Sequence, residues 1–227
     1  MRALVRRVLW PAVLVVTLLA AANPVLAWRL QGSLRQSLAT PFVTVRLVGW
    51  PAAVLTGRFA QVSVVAHRAS ADGLVLDELA VRLREAQLDP VRAVVLGQFV
   101  LRSVAGGEAT VRLLQEDVQR ALENRSFVSG VRVRFTDGLV QVAGTMAVAG
   151  VSANVEMTGR LVVRDARQIV LQVETMTVSG MVLPPGVASV VVAPLNPLLT
   201  VDPLPVPMRL MSVEVKEGSA VITAEPR

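Results

Sequence analysis

The chain of 227 residues contains no cysteine, no tyrosine and a single histidine. The lack of cysteine excludes disulfides and thiol chemistry. The one histidine, His67, excludes any metal site with two histidine ligands and argues against a serine–histidine triad. The seventeen acidic residues are scattered, and their close groups are predicted to be solvated surface: Asp77 with Glu78, Glu116 with Asp117, and Glu214 with Glu217. We predict a protein that is not an enzyme and uses no metal or cofactor, because a hydrolase would need converging acids.

Lysine is nearly absent as well, since Lys216 is the only lysine among the 23 basic residues. The formal charge of +6 falls to +3 when Arg2, Arg6 and Arg7 are set aside, because 20 basic and 17 acidic residues then remain. Nucleic-acid binding would require clustered basic residues and stacking aromatics, and aromatics make up only 4% of this chain. The composition therefore predicts no nucleic-acid partner.

The first 27 residues have the pattern of a targeting segment. Three arginines precede an apolar run over residues 8–22, and residues 25–27 offer small or apolar side chains at a cleavage site. A basic start, an apolar stretch and such an end are typical of a secretory signal. We predict export to the periplasm or another extracytoplasmic space, with cleavage after Ala27. The alternative is an uncleaved inner-membrane anchor at residues 8–28. A bilayer span takes about 20 apolar residues, and this range has 21 positions.

Residues 131–178 alternate between apolar and polar side chains almost without a break. Val133 and Phe135 share one face of this pattern, with Arg132 and Arg134 on the other. Successive side chains of a strand point to opposite faces, so the alternation predicts long, half-buried strands. Tight turns join these strands into an antiparallel sheet that twist would curl. The turns are predicted at residues 136–138, 149–150 and 165–167.

Shorter patterns complete the predicted fold. Leucines at positions 30, 34 and 38 indicate an amphipathic helix over residues 28–39. Further helices are predicted at 114–124 and 186–192, strands at 42–48, 58–66, 79–83, 99–103, 206–216 and 220–224, and turns at 49–51 and at Gly106 with Gly107. No linker divides residues 28–227, so we predict one domain. Its fold class is α+β, a long, curved antiparallel sheet wrapped on two or three helices and preceded by an N-terminal apolar helix.

Three segments carry a resemblance to a known family. They are PFVTVRLVGWP with LTGRFAQVSVVA within residues 41–66, GEATVRLLQEDVQRAL at 107–122, and NPLLTVDPLPVPMRLMSVEVKEGSAVITA at 196–224. This pattern of hydrophobic residues, glycine and proline resembles the bacterial LmeA-like phospholipid-binding family. The Val206-Pro207-Met208 segment departs from the Phe-Gly common after that proline. The resemblance implies an envelope protein that binds phospholipid through a curved sheet, similar to tubular lipid-binding domains, and it implies no catalytic residues.

On this resemblance, the apolar face of the predicted sheet is the candidate groove for acyl chains, where each buried methylene contributes about 0.8 kcal/mol. Its candidate lipid-binding residues are Val140, Val142, Met146, Val155, Met157, Leu161 and Val173. The candidate headgroup ligands are the outward Arg82, Arg84, Arg132 and Arg134, because a guanidinium pairs well with phosphate. The expected partners are phospholipid or a membrane surface, and an envelope protein. The alternatives are an ordinary closed core and a membrane-tethered scaffold without a lipid ligand.

Overall fold

The computed structural model of the chain describes residues 26–28, 30–32, 34–35, 38–49, 53–71, 73–96, 98, 100–124, 128–148, 151–201 and 206–227. Most of the predicted signal or anchor, residues 1–25, lies outside these ranges, and so do Trp50 and Pro51 of one predicted turn. The N-terminal apolar helix therefore stays a prediction.

Thirteen strands are present in the described chain. Their bounds are β1 Val43–Val48, β2 Arg58–Ala71, β3 Leu74–Leu88, β4 Leu101–Ser103, β5 Gly106–Leu114, β6 Val128–Thr136, β7 Leu139–Val148, β8 Val151–Arg164, β9 Gln168–Val178, β10 Met181–Val182, β11 Leu199–Thr200, β12 Met208–Lys216 and β13 Ser219–Pro226. They form two antiparallel sheets. The first has the order β1-β2-β3-β5-β13-β12 with β4 on β3, and the second has the order β10-β9-β8-β7-β6 with β11 on β9.

The helices are short and connect the strands. They are α1 Ala53–Thr56, α2 Pro90–Val95, α3 Gln115–Glu123 and α4 Pro185–Val192, which continues into a 3-10 turn at Ala193–Leu195. Helix α2 begins at a capping residue, because the Asp89 carboxylate accepts a hydrogen bond from the Arg92 amide at 3.0 Å. That amide and the Arg102 guanidinium, 2.7 Å away, lower the pKa of Asp89. Among the described residues, no helix has the length and apolar character that a bilayer crossing requires.

The predicted curled antiparallel sheet is confirmed, but helices are few and the strands divide between two sheets. The reason lies in how β5 is paired. Helix α3 follows β5 directly, and β5 takes β3 and β13 as its neighbours instead of β6. The meander of β6 to β9, which the alternating pattern predicted, therefore forms a sheet of its own.

Strand β12 lies where the two sheets meet. The N–H of Gly138, in the β6–β7 turn, donates to the Val215 carbonyl oxygen at 3.0 Å. The N–H of Leu210 donates to the carbonyl oxygen of Ala166, in the β8–β9 turn, at 2.9 Å. Two turns of the second sheet thus rest against the edge strand of the first, and the apolar faces of both sheets share one buried cluster.

Glycine allows two pairs of strands to approach closely. The predicted turn at Gly106 and Gly107 is wrong, because both residues lie within β5. A Cβ atom on Gly107 would overlap the carbonyl oxygen of Arg82 on β3. A Cβ atom on Gly159 of β8, opposite a bulge in β9, would overlap the carbonyl oxygen of Gln172 on β9. At both positions the absent side chain permits backbone contact.

Candidate functional site

A crevice with apolar walls lies against the buried face of the first sheet. Strands β2, β3, β5, β12 and β13 form one wall, and the helical residues near the N-terminus and the chain around Leu199 form the other. The described lining residues are Leu34, Leu38, Val64, Ala71, Leu76, Leu79, Val81, Ala109, Val111, Leu199, Val201, Val206, Met208, Leu210 and Ala224. All are leucine, valine, alanine or methionine, so this lining favours apolar groups alone.

Small side chains leave this space open. Ala109 on β5 lies opposite Ala224 on β13, and both line the crevice. The space not filled by atoms measures about 680 Å³, including its opening to solvent, but the centre of a water-sized sphere can move through only about 30 Å³ of it. The crevice is therefore narrow, and an acyl chain would enter only as wall side chains turn aside.

A second space, here called the end cavity, lies between α3, the β2–β3 turn, β8 and β9. Its described lining residues are Gly73, Leu74, Leu113, Val118, Ala121, Leu122, Asn124, Leu161, Ile169, Leu198 and Leu199. The centre of a water-sized sphere can move through about 250 Å³, so the end cavity is wider than the crevice. Leu199 lines both spaces, which therefore adjoin at this residue.

Hydrogen bonds to β9 hold Leu199 in this position. The Asn196 side chain accepts from the Leu171 amide at 2.8 Å and donates to the Leu171 carbonyl oxygen at 3.0 Å. The Leu198 amide then donates to the Ile169 carbonyl oxygen at 2.9 Å. Strand β11 continues the pairing with Leu199 opposite Ile169. The chain after α4 is thus attached to the second sheet as a short extra strand.

Leucines at four-residue spacing place the helical residues near the N-terminus against the core. Leu26, Leu30, Leu34 and Leu38 are each 4% exposed or less. Positions four residues apart share one helix face, so the predicted amphipathic helix is confirmed at residues 28, 30–32 and 34–35, whereas residues 38–39 form a turn. The Leu38 carbonyl oxygen accepts from the Ser70 amide of β2 at 2.9 Å. This segment therefore covers part of the crevice.

The predicted lipid-binding residues lie on β7, β8 and β9 of the second sheet. Val140, Val142, Met146, Val155, Met157 and Leu161 are buried, and Val173 is half-buried against the same apolar cluster. Leu161 lines the end cavity. Among the described residues that line the crevice, none of the seven is present. Their contact with lipid stays a prediction.

The predicted headgroup arginines lie on the outer faces of the two sheets. Arg82 and Arg84 are exposed on β3, and Arg132 and Arg134 are exposed on β6. Arg82 is 3.7 Å from Glu108, its cross-strand neighbour on β5. None of the four is among the described residues that line the crevice or the end cavity. Their role toward a headgroup stays a prediction.

Asp117 is a buried carboxylate, so the prediction that it lies with Glu116 on solvated surface is wrong. Its exposure is 1%, and Arg68 and Arg120 are 2.7 Å and 3.1 Å from its oxygens. The sequence carried a signal for this burial, because Asp117 lies three residues after Leu114 and four before Ala121, on the apolar stripe. Within the described chain, no three His, Cys, Asp or Glu side chains come close enough to hold a metal ion.

A family model described as LmeA-like phospholipid-binding matches residues 16–225. No curated protein and no solved structure matches the chain significantly. The matched range contains both walls of the crevice, the end cavity and all of the helices α1 to α4. It confirms over nearly the whole length the resemblance that three short segments indicated. The chain belongs to the LmeA-like phospholipid-binding family.

Proposed function

We propose that this protein is a non-enzymatic phospholipid-binding protein of the bacterial cell envelope, and that it holds acyl chains in the crevice and the adjoining end cavity. The observation that carries the proposal is the apolar lining of the crevice. A polar ligand gains no binding free energy from such a lining, whereas each methylene group transferred into it from water contributes about 0.8 kcal/mol to binding. The family supplies the ligand class.

The two walls of the crevice differ in how firmly they are held. The sheet wall consists of adjacent strands with continuous hydrogen-bonded registers. The opposite wall is attached by separate bonds, such as those from Ser70 to Leu38, from Leu198 to Ile169 and from Val201 to Arg167. Local opening follows the weaker attachment. We therefore expect the crevice to widen by displacement of this second wall.

The envelope location in this proposal is supported by the N-terminal sequence. Three arginines followed by an uncharged apolar run are typical of an exported chain. Intact mass of the protein isolated from its own cells tests the expected cleavage after Ala27. A mature protein that still begins at Met1 would contradict cleavage and support the anchor.

Native mass spectrometry of the full chain, gently extracted from cells, tests the binding function. The variant Ala109→Phe places a ring in the crevice, and Thr110→Phe places the same ring on the exposed face of the same strand. We expect phospholipid to accompany the wild type and Thr110→Phe and to be lost from Ala109→Phe. Circular dichroism checks folding, and Ala71→Leu is a milder substitution in the same lining.

Two results would overturn the proposed function. The first is a wild-type protein that carries no phospholipid and takes up none from vesicles. The second is a folded Ala109→Phe variant that retains as much phospholipid as Thr110→Phe does. The second result would show that the lipid lies elsewhere on the protein.

A further inference from the structure

The longest stretch of this chain without a charged residue covers residues 175–201. It contains the end of β9, then β10, α4 and β11. Burial would be the usual explanation for an uncharged stretch in a protein with 18% charged residues. Much of this stretch, however, lies at the surface.

Four large hydrophobic side chains of the stretch are exposed to solvent. Met181 and Val182 on β10 are 69% and 73% exposed, and Val187 and Val190 on α4 are 49% and 71% exposed. Only two residues separate β10 from α4, so the four side chains occur within ten positions of the sequence. We name these four residues the uncharged patch. Soluble proteins seldom group exposed apolar side chains in this way unless the surface binds something.

Helix α4 has apolar side chains on both its inner and its outer face. Ala188 and Val192 are buried on the side where α4 contacts β9. Val187 and Val190, on the other side, are exposed. Its one hydroxyl, that of Ser189, donates to a carbonyl oxygen within the helix at 2.8 Å. A helix that is apolar all round is typical of an environment that is apolar on both sides, and the protein core supplies one side.

We propose that the uncharged patch inserts into the surface of a lipid bilayer and docks the protein on the membrane from which it takes its lipid. This inference rests on the proposed function. The absence of charge favours lipid as the occupant, because contact with hydrocarbon penalises every charged group. A protein partner is usually met by tyrosine, tryptophan or arginine anchors within a polar rim, and residues 175–201 contain none of those three residue types.

The uncharged patch is continuous along the chain with the lining of the crevice. The 3-10 turn at Ala193–Leu195 follows α4, and Asn196 then attaches the chain to β9. Leu199 and Val201, at the end of the same uncharged stretch, line the crevice. An acyl chain that leaves a bilayer beside α4 therefore reaches the second wall of the crevice along a segment without charged side chains.

A polarity-sensitive fluorophore tests this docking, because a chain without cysteine accepts a label at any one introduced cysteine. Full-chain Val190→Cys is labelled and mixed with vesicles of phosphatidylethanolamine and phosphatidylglycerol, with or without bromine on the acyl chains. Met211→Cys is the matched control, since Met211 is an apolar residue that is 53% exposed on β12. We expect a blue shift at position 190 with vesicles, and severalfold stronger quenching by brominated lipid than at position 211.

A charged residue in the patch provides a second measurement. We expect Val187→Asp to lower the vesicle-bound fraction of label at Val182→Cys about tenfold, because burial of a valine side chain in the bilayer is lost. Val91→Asp, at a 64% exposed position on α2, should leave that fraction unchanged. Equal effects of the two aspartates would overturn the inference. So would a label at position 190 that stays in water, or one shifted to the blue before vesicles are added.

The same labelled proteins separate the inference from the proposed function. Their bound phospholipid is counted by native mass spectrometry after transfer to detergent. Protein that carries phospholipid while position 190 stays in water refutes the docking inference alone. Protein that docks through position 190 but never carries phospholipid refutes the proposed function.

Discussion

Arg68 donates two hydrogen bonds to the buried carboxylate of Asp117, at 2.9 and 2.7 Å, and so ties β2 to α3. Arg68 has a φ of +56° and takes no part in the pairing between β2 and β3. The two partners differ in exposure, because the Arg68 side chain is 41% exposed and that of Asp117 is fully buried. Helix α3 contributes to the end cavity, so this ion pair positions one of its walls.

Removal of the Arg68 cation should lower the free energy of unfolding more than removal of the negative charge of Asp117. Arg68→Met leaves a buried carboxylate with Arg120 as its described ionic partner, and we expect a loss of about 2–4 kcal/mol in the free energy of unfolding. Asp117→Asn leaves a cation that water can reach, and we expect a loss of about 1–3 kcal/mol. Urea denaturation measures both, and the reverse order would contradict this view of the pair.

Neighbouring glycines in β5 should respond differently to the same substitution. A Cβ atom on Gly107 would overlap the Arg82 carbonyl oxygen and lie 3.1 Å from the Leu83 Cα atom, so Gly107→Ala should destabilise the protein by about 1–3 kcal/mol. A Cβ atom on Gly106 meets no heavy atom within 4 Å, so Gly106→Ala should change stability by less than about 0.5 kcal/mol. Equal thermal shifts for the two variants would disprove the close contact between β3 and β5.

Leu30 and Leu34 lie on one helix face, and a comparison of their alanine variants distinguishes stabilisation by bound lipid from stabilisation by core packing. Leu34 lines the crevice, whereas Leu30, which is fully buried, is not among its described lining residues. We expect each leucine-to-alanine change to cost about 2–5 kcal/mol without lipid. Ligand binding to the folded state raises stability. Added phospholipid should therefore restore stability more in Leu34→Ala, whose crevice it can fill, than in Leu30→Ala, and equal recovery in urea melts would argue against that filling.

The side chain of Asn196 should matter for lipid affinity as well as for stability. Asn196→Ala removes both hydrogen bonds to Leu171, and we expect a loss of about 1–3 kcal/mol in unfolding free energy. Phospholipid affinity should fall too, because Leu199 loses its attachment to β9. Asn154→Ala, which removes an exposed side-chain contact with Thr145, should change neither quantity appreciably. Unchanged affinity in a folded Asn196→Ala protein would show that Leu199 is not a binding residue.

Local patterns in the sequence were sufficient for most of the individual elements. Side-chain alternation predicted the meander of β6 to β9, because the alternation depends only on neighbouring residues. The leucine spacing predicted the helical residues that bury Leu30, Leu34 and Leu38. The Gly106–Gly107 pair was wrongly predicted as a turn, since glycine at a close contact between strands and glycine in a turn look alike in sequence.

The candidate site could not be predicted from these patterns, because its walls are distant in the chain. The pairing of Ala109 with Ala224 creates the space, and nothing local to either alanine indicates the other. The strongest alternation lies in the second sheet, which directed the predicted lipid contacts to residues such as Val142 and Met157. The crevice lies instead against the first sheet, where the alternation is shorter.

A phospholipid with a photoreactive group near the end of one acyl chain tests the central claim most directly. After loading into the full chain and irradiation, mass spectrometry of the digested protein locates the crosslinked residues. The proposed binding mode predicts crosslinks within residues 76–81, on the sheet wall of the crevice, and at residues 199–201, on the opposite wall. Crosslinks restricted to β7, or to the outer faces of the sheets, would contradict it.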